Sequence, residues 1–186
     1  MRKQIRDEVI SIAPFDAMER EDISRCLAWI DSGVDLCRIA KPATPPMHLV
    51  SYFVVVDDGH VLLVDHRNAQ LWLPPGGHVE QGEHPRVTVA RELEEELGFA
   101  ASHPIGAPLF VTITTTVGLT AGHTDVSLWY VVRASRHQSF KFDEGEFVDV
   151  RWFSFEEVPL ERTDPHMKRF IAKLVNSENT YATALG

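Results

Sequence analysis

The sequence predicts an α+β fold, in which β-strands alternate irregularly with a few helices and a helical extension precedes the main domain. Two observations favour this class. Short β-rich runs recur between residues 48 and 153, and the stretches 17–32, 85–97 and 165–175 have helical periodicity. The chain of 186 residues is 44% hydrophobic and 24% charged, which is typical of a folded globular protein.

The first predicted helix begins after Asp16. Asp16 and Glu19 have the spacing of a capping box, and Gly33 supplies a C-terminal stop. Because an isolated helix of this length is marginal in water, we expect its apolar stripe to pack on the main domain or on a second subunit, which leaves a homodimer open. The stripe consists of Ile23, Leu27 and Ile30.

The proline-rich segment Lys41–Pro46 cannot continue a helix and predicts a stiff linker. We therefore divide the chain into an N-terminal helical extension with its linker, residues 1–45, and a main domain, residues 46–186. Within the main domain, Asp58-Gly59 predicts a hairpin turn. The predicted strands are residues 48–56, 61–66, 109–117, 126–133 and 148–153, and the later predicted helices are residues 85–97, ended by Gly98, and residues 165–175.

The composition excludes several classes of function. The formal net charge of −9 argues against a broad electrostatic grip on nucleic acid, and a polyanionic substrate would need the help of cations. No apolar run approaches the ~20 residues of a membrane-spanning helix, and the N-terminus lacks the pattern of a signal peptide. With only two cysteines, Cys26 and Cys37, we expect reduced thiols and a cytoplasmic protein without membrane association.

A glutamate-rich helix carries most of the chemical information. Residues three and four apart share a helix face, so Glu92, Glu95 and Glu96 project together. Arg91 alone does not neutralise them, and oxygen ligands of this kind suit hard divalent ions such as Mg²⁺ or Mn²⁺. The alternative is a solvated acidic surface. The opposite, core-facing stripe consists of Val89, Leu93 and Leu97.

The spacing around this helix resembles the Nudix box. Gly77 is followed after five residues by Glu83 and after seven more by Arg91-Glu92-Leu93-x-Glu95-Glu96-x-Gly98-Phe99, so residues 77–99 match the box at every defined position. The resemblance implies a mixed β-sheet sandwiched between helices. It also implies a divalent-metal-dependent pyrophosphohydrolase, in which water attacks phosphorus in a nucleoside diphosphate linked to another moiety.

The box alone does not select the substrate. By default a MutT-like nucleoside triphosphate hydrolase is expected, followed by a hydrolase of sugar nucleotides. The contrasting hypothesis, from a binding class, is a catalytically weak Nudix-fold sensor that holds a nucleotide and regulates a partner. The intact box favours the enzyme.

The resemblance also assigns roles to residues. The implied ligands of Mg²⁺ or Mn²⁺ are the carbonyl oxygen of Gly76 and the carboxylates of Glu92, Glu95 and Glu96. Arg91 is implied to orient a carboxylate by charge-assisted hydrogen bonds. Glu83 is expected to fix the loop-to-helix turn or to contact the metal through water. The residues expected to take part in catalysis are Glu92, Glu95, Arg91 and Glu146.

Glu146 enters this set by its position. Nudix proteins often supply a further acidic residue, as a ligand or general base, from a loop before a late strand. The segment Asp143-Glu144-Gly145-Glu146 occupies that place. Glu146 is the first choice and Glu144 the second, and the alternative is an acidic surface turn.

Other side chains near these positions are weaker candidates. Trp72, Gly77 and His78 lie along the glycine loop and are candidates for substrate contact, although strand aromatics such as Trp72 more often belong to a core. His123 and Asp125 can be interpreted as a metal pair, but their place in a glycine-flanked turn favours hydrogen bonding.

Overall fold

The structure, a computed structural model, describes residues 1–41, 44–116 and 122–184, with side chains described through residue 179. Of the predicted elements, Pro42 and Ala43 in the linker and Val117 at the end of a strand lie outside the described residues. The helices are α1 (Arg2–Ser11), α2 (Ala17–Asp31), α3 (Pro85–Leu97) and α4 (Met167–Ala184). The strands are β1 (Met47–Asp57), β2 (His60–His66), β3 (Leu71–Leu73), β4 (Gly76–His78), β5 (Phe110–Thr115), β6 (Thr124–Arg133) and β7 (Phe147–Ser154).

The strands form one mixed sheet. Its order is β3-β2-β1-β6-β5, with β4 paired to β1 and β7 paired to β2. Strand β1 runs parallel to β6 along most of its length, whereas the other pairs are antiparallel. The predicted hairpin is confirmed, because Asp57 pairs with His60 and the φ angles of Asp58 and Gly59 are 38° and 73°. Two positive φ angles are what a two-residue type I′ turn requires.

Helices cover both faces of the sheet, which confirms the predicted sandwich. Successive residues of a strand point to opposite faces, so Phe53 and Val55 join one core while Val54 and Val56 join the other. To the first core, α1, α2 and α3 contribute Ile5, Val9, Cys26, Ile30, Val89, Leu93 and Leu97. To the second core, α4 contributes Met167, Phe170, Ile171 and Leu174.

The predicted helix after Asp16 is confirmed as α2. The backbone N–H of Glu19 donates to the Asp16 carboxylate at 2.8 Å, as the capping box predicts. In the predicted stripe, Ile30 is fully buried, while Ile23 and Leu27 are partly buried against the first core. The stripe therefore packs on the same chain. The division at residues 45 and 46 and the homodimer stay predictions.

Helix α1 is not predicted from the sequence. Of its ten residues only Ile5 and Val9 are buried, which is too few for a recognisable apolar stripe. Tertiary contacts stabilise it instead, since Arg2 Nη1 donates to the carbonyl oxygen of Ile30 at 2.7 Å. Helix α4 begins at Met167, two residues after its predicted start at Pro165, and extends beyond its predicted end at Val175 to Ala184. The sequence after Val175 is mainly polar or small, so it carries no apolar pattern from which a helix could be predicted.

Candidate active site

The glycines of β4 bring the backbone close to two neighbouring elements. Strand β4 pairs with β1 so that Ser51 lies opposite Gly77. A Cβ atom on Gly76 would lie 2.2 Å from the carbonyl oxygen of Ser51, and one on Gly77 would lie 1.8 Å from Glu92 Oε1. Only glycine fits at Gly76, where the obstacle is backbone and φ is 156°. A side chain at Gly77 would instead displace Glu92, so glycine at this position allows direct contact between the β4 backbone and the carboxylate of Glu92 on α3.

Arg91 connects three carboxylates. Its Nε and Nη2 atoms donate to the two oxygens of Glu83, each at 3.1 Å, and its Nη1 donates to Glu92 at 2.7 Å and to Glu95 at 3.2 Å. Burial raises the pKa of Glu83, but the hydrogen bonds from Arg91 and from the Thr88 hydroxyl outweigh burial and lower this pKa overall. Glu83 is thus held ionised at the turn into α3, where it contacts both residues.

Glu96 is deeply enclosed, with 4% of its surface exposed. Its Oε2 accepts a hydrogen bond from the Gly76 N–H at 3.0 Å. Burial, followed by the negative charges of Glu92 and Glu146, raises the pKa of Glu96 to about 9, and burial also raises the pKa of Glu92. The side chain of Glu95, by contrast, is 61% exposed. The acidic face therefore turns into the protein at Glu92 and Glu96 and opens to solvent at Glu95.

The loop before β7 brings Glu146 close to the box carboxylates, the carboxylates of Glu92, Glu95 and Glu96. The backbone N–H of Arg67 donates to the Glu146 carbonyl oxygen at 3.0 Å, and Arg67 Nε donates to the Glu144 carbonyl oxygen at 2.8 Å. The negative charge of Glu146 raises the pKa of the two buried box carboxylates. In the contact between Glu144 and Arg67, Glu144 contributes its backbone carbonyl oxygen and not its carboxylate. Of the two candidates in this loop, Glu146 is the one whose charge acts on the site.

These groups fit a hard divalent cation. Arg91 is the hydrogen-bonding partner of Glu83, Glu92 and Glu95, so one positive charge is shared among three negative ones. Burial and, after it, repulsion by Glu92 and Glu146 disfavour the ionised form of Glu96 and raise its pKa, and a bound cation would restore the ionised form. Carboxylate and carbonyl oxygens are the ligands that Mg²⁺ and Mn²⁺ prefer.

The residues predicted to contact substrate have different surroundings. Trp72 is 6% exposed, and its ring packs edge-on against Phe153 with 5.0 Å between ring centroids. This burial favours core packing over stacking on a substrate. His78 lies beside His48, with 4.9 Å between ring centroids, and Gly77 lies against the carboxylate of Glu92. Substrate contact by these residues stays a prediction.

Arg38 is a charged residue near the site that no pattern in the sequence indicates. Burial lowers the pKa of Arg38, while the charges of Asp125 and Glu92 oppose this shift, so its guanidinium acts on both carboxylates. An isolated arginine outside the box carries no local signal.

His123 and Asp125 lie at the turn for which the sequence favours hydrogen bonding over metal binding. A His123 ring nitrogen lies 3.3 Å from Thr116 Oγ1, which is within hydrogen-bonding distance. Asp125 Oδ1, however, has no hydrogen-bond partner in the part of the chain that the structure describes.

Sequence comparisons agree with the geometry. A model of the NUDIX domain matches residues 47–174. The chain is 28% identical over 129 residues to the uncharacterized Nudix hydrolase YvcI of Bacillus subtilis (strain 168), which covers 67% of this chain and 78% of that protein. It is 30% identical over 120 residues to a MutT-like protein of Streptomyces ambofaciens, covering 63% and 71%. An ADP-ribose pyrophosphatase of Bacillus subtilis (strain 168) is 29% identical over 116 residues, covering 58% of each chain.

Solved structures show the same fold. The MutT protein from Methanosarcina mazei Go1 superposes with a TM-score of 0.59 at 20% identity, covering 72% of this chain and 96% of that chain. The Nudix domain of Shewanella oneidensis NrtR complexed with ADP-ribose has a TM-score of 0.55 at 22% identity, covering 69% of this chain and 86% of that chain.

Among the described residues, no helix combines the length and apolarity needed to cross a bilayer. With the NUDIX model matching well over half of its residues, the chain belongs to the Nudix family of hydrolases.

Proposed function

We propose that the protein is a divalent-metal-dependent pyrophosphohydrolase, which cleaves a nucleoside diphosphate linked to another moiety by attack of water on phosphorus. One observation carries this proposal. The carboxylates of Glu92 and Glu96 are enclosed beside the Gly76-Gly77 backbone, with pKa values that burial raises. A surface patch of glutamates serving solubility would not be enclosed in this way.

The proposed metal ligands are the box carboxylates and the carbonyl oxygen of Gly76, with Mg²⁺ or Mn²⁺ as the ion. When bound, the ion would neutralise charge on the diphosphate and lower the pKa of water. Because Glu95 is 61% exposed, it lies on the side from which substrate can approach. Arg91 orients Glu92 and Glu95 by hydrogen bonds from one nitrogen.

Glu146 is the proposed general base. Its side chain is 45% exposed and its Oε1 lies 3.6 Å from His66 Nε2, while its charge acts on the box carboxylates. A carboxylate in this place can accept a proton from the attacking water. Glu144, in the same loop, is the second choice.

The relatives support a nucleotide-like substrate. One matched protein is an ADP-ribose pyrophosphatase, another is MutT-like, and a matched structure holds ADP-ribose. The chemistry common to these substrates is a diphosphate attached to a nucleoside. We place ADP-ribose, nucleoside triphosphates and sugar nucleotides in one candidate set, and a cytoplasmic location without stable nucleic-acid binding remains part of the proposal.

The test is a product-release assay over this candidate set. Release of a nucleoside monophosphate is expected in Mg²⁺ and not in EDTA. Glu95→Gln should lower turnover by about 100-fold or more, because it removes an anionic ligand without changing shape. The matched control is Glu94→Gln, an exposed neighbour on the same helix, which should keep wild-type turnover. Nucleotide binding without any product release would favour the sensor instead.

A further inference from the structure

A second group of side chains of the metal-ligating type lies where β1 and β6 begin. Three of the four lie outside the Nudix box, and the fourth, His78, follows Gly77 at a position that the box leaves undefined. The parallel register places His48 of β1 opposite Asp125 of β6. His78 of β4 lies opposite Val50 of β1, and His123 immediately precedes β6. The ligand atoms of His48, His78, His123 and Asp125, here called the histidine cluster, all lie within 4.8 Å of one another.

The distances within the histidine cluster are close to those of a tetrahedral metal site. The Nε2 atoms of His123, His48 and His78 lie 3.3, 3.5 and 3.9 Å from Asp125 Oδ1. Ligand atoms placed about 2.1 Å from a zinc ion at tetrahedral angles are about 3.4 Å apart. The three distances to Asp125 Oδ1 are close to this value, whereas the ligand atoms as a set lie within 4.8 Å of one another, so metal binding would draw the four side chains slightly together.

Three of the four ligand atoms lack hydrogen-bond partners among the described residues. His48 is 0% exposed, and its Nδ1 lies 2.8 Å from the carbonyl oxygen of Pro45. Because a carbonyl only accepts, Nδ1 carries the proton and Nε2 of the neutral ring has a lone pair. Within the described ranges, neither His48 Nε2 nor His78 Nε2 nor Asp125 Oδ1 has a hydrogen-bond partner. The lone pair of His48 Nε2 therefore faces the Asp125 carboxylate oxygen at 3.5 Å, an unfavourable arrangement that a cation bound between the two atoms would relieve.

The surroundings keep the imidazoles neutral. Burial lowers the pKa of His48 and of His123. The positive charge of Arg38 lowers the pKa of both further. Neutral imidazole is the form that binds a metal ion. Arg38 also weakens the binding of any cation, so the site depends on coordination geometry more than on net charge.

We propose that the histidine cluster is a binding site for a divalent transition-metal ion, with Zn²⁺ as the best fit. Three imidazoles and one carboxylate suit zinc, whereas Mg²⁺ prefers an all-oxygen set. Four protein ligands leave no open position, which is the pattern of a structural zinc site. The ion would join β1, β4 and β6 one residue away from Gly77, and so would fix the strand that contacts Glu92.

The test uses full-length, metal-depleted protein in excess Mg²⁺, which is there to occupy the box carboxylates. Calorimetric titration with Zn²⁺ should show one equivalent bound per chain, and Co²⁺ should give the intense visible absorption of a tetrahedral complex. His123→Asn and Asp125→Asn should each lower Zn²⁺ affinity by at least about tenfold. The controls are Glu95→Gln in the box and His137→Asn at an exposed histidine. Both variants should still bind one equivalent of Zn²⁺ per chain.

Three results would overturn the proposal. They are the absence of Zn²⁺ binding in the wild type, Zn²⁺ binding as tight as that of the wild type in both His123→Asn and Asp125→Asn, and loss of the bound Zn²⁺ in Glu95→Gln. Circular dichroism in metal-free buffer establishes whether each variant is folded. If His123→Asn does not fold, Asp125→Asn, which keeps the size of the side chain, carries the test. Metal content is measured without turnover, so this result is independent of the outcome of the product-release assay.

Discussion

Replacing Glu96 by glutamine should change how the stability of the metal-free protein depends on pH. Glu96 is 4% exposed, and burial, followed by the charges of Glu92 and Glu146, raises its pKa from 4.5 to about 9. Between these two values the native state holds a proton that the unfolded state has released. The free energy of unfolding should therefore fall as pH rises, by about 1.4 kcal/mol per pH unit.

The difference between wild type and Glu96→Gln isolates this effect. Burial raises the pKa of Asp125 to about 7, so this group also makes the free energy of unfolding depend on pH. Its contribution, like that of other titrating groups, is the same in both proteins and cancels in the difference. From pH 6 to pH 8 in EDTA, the wild type should lose about 3 kcal/mol relative to Glu96→Gln. Saturating Mg²⁺ should remove this difference in slope, because a bound ion keeps Glu96 ionised in the native state.

Urea denaturation at pH 6, 7 and 8, in EDTA and in Mg²⁺, measures these free energies. Glu95→Gln is the matched control, since the Glu95 side chain is 61% exposed, and its slope should equal that of the wild type. Parallel pH profiles for wild type and Glu96→Gln in EDTA would refute the reasoning, because they would mean that Glu96 does not retain a proton in the native state.

Two further substitutions test the packing around the site. Gly77→Ala places a Cβ atom 1.8 Å from Glu92 Oε1, so it should displace that carboxylate and lower turnover by about 100-fold. The control is Gly106→Ala, where a Cβ atom meets nothing within 4 Å, and this variant should keep wild-type turnover. Equal turnover of the two variants would contradict a role for the close approach of Gly77 to Glu92. Lys173→Met leaves the fully buried Glu19 without the ammonium group that lies 2.6 Å away, so it should cost about 3–5 kcal/mol in urea denaturation. A loss below about 1 kcal/mol, the value of an exposed ion pair, would show that the pair contributes little.

The parts of the site that the sequence predicts are those set by local spacing. The helix Pro85–Leu97 and its stop at Gly98 have the predicted bounds, because proline suits the first position of a helix and glycine the left-handed residue after its end. The stripe facing the core is fully buried, as the 3.6-residue period of a helix predicts. The sequence could not predict that the acidic face would be enclosed at Glu96. That enclosure depends on β4, a strand of three residues too short to have a periodicity of its own.

Local sequence patterns do not predict contacts between residues that are far apart in the chain. The parallel register of β1 and β6 places His48 beside Asp125, although a long stretch of chain separates them. The same limitation applies to the buried pair of Glu19 and Lys173, which joins α2 to α4. The capping-box spacing predicts only the helix-cap role of Glu19, and the ion pair with Lys173 becomes evident only in the structure.

The most direct test of the central claim, that divalent ions on the box carboxylates hold the diphosphate, is calorimetry with a non-hydrolysable nucleotide analogue. If the ion bridges Glu96 and the phosphates, Mg²⁺ should tighten binding of the analogue and the analogue should tighten binding of Mg²⁺ by the same factor. Glu96→Gln should reduce this coupling in both directions. Equal affinity for the analogue in EDTA and in Mg²⁺ would contradict the claim, because protein side chains alone would then hold the phosphates.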